Sequence, residues 1–225
     1  MAAAAVSLGN WQTRRGDARE ALQAEWDRAE RLTPVELRTE ADFEAARQRL
    51  PVRVALSGEL RPEATVFVDN RALDGAPGFQ VVTPLHLANG AAVLVNRGWL
   101  PRDLADPSRL PQLSTPRGQV RIEGLAVPRV PRLLELASTT LAPPPAIWPN
   151  LEFEDVERAT GLRLERLVVQ QTNDTGDRLH RIWPHPSIGA EKNRAYALQW
   201  YGLAVLSAGL TAFFGGRAWL RQRTR

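Results

Sequence analysis

Residues 77–99, PGFQVVTPLHLANGAAVLVNRGW, read as two apolar strands, Phe79–Leu87 and Ala91–Arg97, joined at Asn89-Gly90. Asn-Gly between two apolar runs is a strong hairpin signal, because both residues tolerate the positive φ of a tight turn. Upstream, Val52, Val54 and Leu56 alternate with Arg53 and Ala55 before Gly58, a period of two that predicts a half-buried strand. Further strands are expected at Thr65–Asn70, Gln119–Ala126 and Leu164–Gln170, with turns at Asp74-Gly75 and Asn173–Gly176. Before them, Ala21, Leu22 and Trp26 fall at helical spacing within Arg14–Arg31, and Pro34 ends that run. A second helix is expected over Thr39–Leu50, capped by Thr39 with Asp42 three residues on. Asn150–Gly161 is a further helical candidate. Pro101–Pro116 and Val127–Pro149 hold most of the 17 prolines and are expected as loops. Many short strands with turn punctuation point to an antiparallel sheet or barrel with flanking helices, an α+β domain.

Composition narrows the function classes. The 225 residues contain no cysteine, which excludes disulfides, thiolate metal sites and a cysteine nucleophile, and only three histidines, His86, His180 and His185. The net charge of +4 is not spread evenly. Arg14–Glu191 carries all 25 acids against 23 arginines, and the surplus lies in Lys192, Arg194, Arg217, Arg221, Arg223 and Arg225. A near-neutral body with a basic end is not the footprint of a nucleic-acid-binding domain.

That basic end follows Ala195–Gly216, 22 residues without a charge. As a helix they span roughly 33 Å, enough to cross the hydrocarbon core of a bilayer. Trp200, Tyr201 and Trp219 flank the run as interfacial aromatics do, and the arginine cluster beyond it predicts a cytoplasmic C-terminus with the preceding domain outside. Ala204, Ala208 and Ala212 form a small-residue face on which another membrane helix could pack. Residues 1–8, MAAAAVSL, are apolar but too short to span and lack the marks of a signal peptide. The expectation is that the chain starts inside a first membrane helix. This divides it into 1–12, the exit of that helix; 13–192, the extracytoplasmic domain; 195–216, the spanning helix; and 217–225, the tail.

No nucleophile elbow, phosphate loop or metal-ligand spacing occurs, so neither an enzyme nor a metal centre is expected. Two readings of Val93–Trp99 stand side by side. Asn96 and Arg97 tie down a strand edge while Trp99 fills the core, or the cluster is a loop facing a partner or ligand.

Several strings resemble the Surfeit-locus-one family of cytochrome c oxidase assembly proteins: Leu8-Gly9-Asn10-Trp11-Gln12 with Arg15; Asn70-Arg71; Pro77-Gly78-Phe79 with Val82-Thr83-Pro84; Val95-Asn96-Arg97-Gly98-Trp99; and Tyr196-Ala197-Leu198-Gln199-Trp200-Tyr201. The resemblance implies two membrane helices flanking a domain on the periplasmic side of the bacterial inner membrane. It implies an assembly factor for the heme–copper oxidase, with subunit 1, other assembly factors and the bilayer as partners, and with heme a as a transient cofactor. It marks Trp11, Gln12, Arg71, Gly78, Pro84, Asn96, Arg97, Gly98, Trp99, Tyr196 and Trp200 for partner or heme contact. The family typically has a histidine three residues before the tyrosine that opens the second helix. Here Asn193 stands there, and a carboxamide is a poor ligand for heme iron, leaving His180 or His185 as substitutes.

Overall fold

The structure is a computed structural model and describes residues 1–134, 141–183 and 189–223. The chain forms two compact units, Arg28–Trp183 and a second made of Met1–Asp27 with Pro184–Arg225.

In the first unit eight strands form one sheet: β1 Val35–Glu36, β2 Val52–Leu60, β3 Val66–Val68, β4 Gly78–His86, β5 Ala92–Pro101, β6 Gln119–Val127, β7 Ala146–Trp148 and β8 Leu164–Gln171. Their order is β1-β2-β6-β8-β5-β4-β3-β7, and β2 also pairs with β4 through Glu59 with His86 and Leu60 with Leu85. The ladder β2-β6-β8-β5-β4 therefore returns to β2, a five-stranded barrel that leaves no open edge among those strands. The expected antiparallel sheet needs correction, because the sheet is mixed: β1–β2, β3–β7 and β5–β8 run parallel. Parallel neighbours need a crossover, and β5 reaches β8 through β6 and the helix Phe153–Thr160 (α3). β7 corrects a second expectation, since it lies in a stretch read as loop. Three residues beside prolines are too short for periodicity to show.

Alternation places Val54, Leu56, Leu85, Val93, Val95, Ile122, Leu167 and Val169 in one buried core. Each such side chain removed from water contributes about 1.5–3 kcal/mol. Phe43 and Ala46 of the helix Glu40–Arg47 (α2) join that core. The helix starts where expected: Thr39 Oγ1 accepts from Asp42 N–H at 3.3 Å, and the Asp42 carboxylate accepts from Thr39 N–H at 2.8 Å. A second core gathers Phe67, Phe79, Val81 and Leu179, with the two rings edge to face at 6.1 Å. The β4–β5 hairpin turns at Asn89-Gly90 as expected, but through a five-residue loop, Leu87–Ala91, in which Gly90 takes the positive φ and Asn89 does not. Leu87 N–H donates to Ala91 O, the Asn89 carboxamide oxygen accepts from Ala91 N–H, and Gly90 has φ 80°. Pro84 has no N–H to offer, and it sits where β4 changes partner from β3 (residues 80–82) to β2 (residues 85–86).

The second unit contains the helix Ala2–Arg31 (α1), whose last turn enters the first unit, and the helix Ala190–Arg223 (α4). α1 joins the stretch expected as the exit of a first helix to the helical run expected over Arg14–Arg31, without a break between them. At about 1.5 Å per residue the 34 residues of α4 extend roughly 51 Å. Among the described residues, α4 alone is long and apolar enough to cross a membrane. Its apolar side chains are open, with Leu198 72% and Val205 74% exposed.

Phe43→Ala should cost about 3–5 kcal/mol, since it deletes a fully buried ring. Thr39→Ala should cost about 0.5–2 kcal/mol, since it removes only the cap. Denaturant midpoints of the two variants measure both. A Phe43 cost no greater than the cap's would place the ring outside the barrel core.

Candidate functional site

The strand end Val93–Trp99 is shaped by a bulge. Val81 and Val82 stand opposite Gly98 and Asn96, so Arg97 is an extra residue on β5 without a ladder partner. A bulge re-aims the side chain it carries. Arg97 turns into the protein, where its exposure is 0%. Gly98, at φ 144°, completes the bulge. A Cβ there would also come 2.8 Å from Leu179 Cβ and 2.9 Å from His180 O.

Arg97 meets Asp177, 80 residues away, at 2.9 Å. Its Nη atoms also donate to Thr115 Oγ1 at 2.8 Å and Ser114 O at 3.0 Å, while Nε has no partner. Asp177 in turn accepts from Arg181 at 2.6 Å and from Thr175 Oγ1 at 3.1 Å. Burial acts to raise the Asp177 carboxyl, but the Arg181 hydrogen bond and the charges of Arg181 and Arg97 outweigh it and hold the group below its ordinary value. Burial lowers Arg97 against the opposing pull of Asp177. Asp177 borders an open cleft of about 620 Å³, lined also by Gln112, Ser114, Arg178 and Leu179, and Arg97 lies behind it.

Trp99 organises the adjoining region. Its indole donates to Arg71 O at 2.6 Å, its ring rests on Gly78 where no Cβ would fit, and its main chain exchanges two hydrogen bonds with His180. Trp99 is 8% exposed. Arg71 is buried, which lowers its guanidinium although Asp69 opposes this, and Asp69 itself is bonded to Arg102. On the face of the sheet opposite the barrel core, Asn96 stands beside Gln170 in register, with Gln80 two residues along β4 from Asn96's partner Val82. All three are buried and carry side-chain atoms without a partner.

The structure thus gathers Arg71, Gly78, Asn96, Arg97, Gly98 and Trp99 around one end of β4–β5, with Pro84 further along β4. It also supplies residues the sequence did not mark: Asp177, Arg181, Thr115, Gln80 and Gln170. The available signal was an arginine inside an apolar strand, which once buried requires an acid.

Trp11, Gln12, Tyr196 and Trp200 belong to the second unit. There Gly9 faces the Tyr201 ring, with 2.5 Å left for a Cβ, and Tyr201 OH bonds Asn10 at 2.8 Å and Thr13 at 3.2 Å. Arg194 pairs with Glu20, so α1 and α4 run antiparallel along this stretch. Trp11 and Tyr196 are about half exposed, and Arg15 lies 5.3 Å over the Trp11 ring. Of the small-residue face on α4, Ala204 is buried while Ala208 and Ala212 are exposed. Asn193 is buried with its Nδ2 unpartnered, as is Oε1 of Gln12. A carboxamide nitrogen has no free lone pair for iron and the amide oxygen is a weak donor beside imidazole, so this position is a poor fit for heme ligation. His180 is exposed beside Trp99 at 5.8 Å between ring centres, and His185 lies outside the described residues. Among the described residues there is no cluster of three metal-ligating side chains.

Asp177→Asn should destabilise the domain by about 3–5 kcal/mol at pH 7, because it strands a buried guanidinium. The native carboxyl titrates below its unfolded value of about 3.9. Its contribution is therefore complete above about pH 4 and is lost as the pH falls further. Denaturation at pH 7 and pH 3 should show the gap between variant and wild type narrowing in acid. A gap that is constant with pH would disconnect Asp177 from the stabilisation.

A family model described as the SURF1 family matches residues 1–205. A SURF1-like protein of Dictyostelium discoideum is 34% identical over 103 residues, which is 42% of this chain and 38% of that protein. The chain therefore aligns with well under half of the length of that relative. The family match, by contrast, runs from α1 through the barrel into α4, and the chain belongs to the SURF1 (Surfeit-locus-one) family.

Proposed function

We propose that this protein is a membrane-anchored assembly factor for the heme–copper cytochrome c oxidase of a bacterial inner membrane. The observation that carries this reading is the family match, which takes in both the barrel unit and the first half of α4. α4 serves as the anchor. Its apolar side chains are open over most of its length, and Arg217, Arg221 and Arg223 follow at its end. The barrel unit lies on the periplasmic side and assists maturation of subunit 1, including heme a insertion, together with other assembly factors. The protein acts by holding and presenting rather than by catalysing a reaction. The buried Arg97–Asp177 pair fixes the frame of the surface around the cleft, and exposed groups such as Arg178 and Gln112 make the contacts.

Direct carriage of heme through a histidine ligand is less well supported, since Asn193 stands at the family's histidine position.

Deleting the gene should reduce the heme a absorbance and oxidase activity of membranes several-fold, with the full-length chain restoring both. Unchanged oxidase in the deletion strain would overturn the proposal. For orientation, a reporter active only in the cytoplasm should work when fused after Arg225 and fail when fused after Pro186. The opposite pattern would invert the proposed topology.

A further inference from the structure

Arg71 lies between β3 and β4 with both main-chain polar atoms engaged, its N–H on Gly78 O at 3.0 Å and its carbonyl under the Trp99 indole. Its side chain is only 9% exposed, yet Nε and Nη2 are sealed from solvent and have no partner. Those two nitrogens form one edge of the guanidinium, a two-donor fork whose spacing matches the two oxygens of a carboxylate. Arg97, fully buried, has its acid in Asp177, whereas the acid near Arg71, Asp69, is bonded to Arg102. A buried charge without a hydrogen-bond acceptor carries a desolvation cost, which the nearby Asp69 carboxylate opposes without bonding to the guanidinium. Close by along the same two strands, the Asn96 carboxamide is 1% exposed with both Nδ2 and Oδ1 unpartnered, and Gln80 Oε1 is likewise free.

We infer that Arg71 is the anchor of a binding site for a small carboxylate-bearing molecule, with the guanidinium edge taking both oxygens. A single positive charge presented as a planar fork suits a planar monoanion better than a tetrahedral, more highly charged phosphate. The enclosure of both nitrogens favours a small molecule over the acidic side chain of a folded partner. This site stands independently of the oxidase reading and does not require it.

The test uses the full-length protein in detergent with ¹⁵N-labelled arginine, following the Arg71 Nε–H resonance assigned through its own side-chain couplings. Sodium acetate, titrated at constant ionic strength against sodium chloride, should shift that resonance saturably. Acetate should also raise the melting temperature of the wild type. Arg71→Lys keeps the charge but loses the fork, and it should bind acetate about tenfold more weakly or worse, the equivalent of one charge-assisted hydrogen bond. No saturable shift, an equal shift with chloride, or a preference for inorganic phosphate would overturn the assignment. The wild-type titration decides the matter by itself should the lysine variant fail to fold.

Discussion

The ion pair between Arg97 and Asp177 is the constraint on which the ordered end of the barrel rests. It joins the tip of β5 to the segment after β8 across 80 residues of sequence. Once Arg97 is turned inward by the bulge, its guanidinium needs several acceptors, and Asp177, Thr115 and Ser114 supply them. Those acceptors fix the loop before β6 and the turn after β8 against the same strand. Asp177 also accepts from Arg181, which draws the 177–181 turn tight enough for His180 to pair with the Trp99 backbone. A buried pair of this kind adds little net stability relative to an apolar core, but breaking it is costly. Its effect is to exclude alternative arrangements of two loops that hydrophobicity alone would leave loose.

The Trp99 region depends on that arrangement. The indole lies against Gly78 and under Arg71 only because Gly98 lets the strand pass close to Leu179 and His180. Glycine is required at 98 on two grounds, a φ of 144° and the absence of room for a methyl group. The sequence string VNRGW therefore works as a unit. The asparagine joins the amide row on one face, the arginine enters the ion pair, the glycine makes the bend, and the tryptophan closes the hairpin.

Much of the barrel was legible because alternation and punctuation are local signals. β2, β4, β5, β6 and β8 fall within a few residues of their expected spans, and the Thr39 cap forms as written. Strand direction was not legible. Alternation says that Leu164–Gln171 is a strand, but not that it runs parallel to β5, because that depends on where α3 and the long loops carry the chain. β1 and β7 are two and three residues long, below any period. At the site, the cluster of Asn96, Arg97 and Trp99 stood out by composition, and both readings of it had substance until burial was known. Asp177 could not be seen in a polar turn rich in Asp, Thr and Gly, since only the fold brings it to Arg97.

The α1–α4 unit poses a different physical problem. Along Gly9–Glu20 and Gly189–Tyr201 the helices meet through small residues and side-chain hydrogen bonds. Glycine at position 9 lets the Tyr201 ring approach the α1 backbone, and the hydroxyl then reaches Asn10 and Thr13. Packing of this type suits helices in or near lipid, where apolar burial gives no drive for association and close approach does. Asn193 fits the same logic. A carboxamide in a helix–helix seam can donate and accept hydrogen bonds, so it can hold a partner helix or a polar group, but it is a poor ligand for heme iron beside imidazole. If the chain serves oxidase assembly as proposed, the exchange of imidazole for carboxamide at this position shifts its part in the process from ligation towards contact.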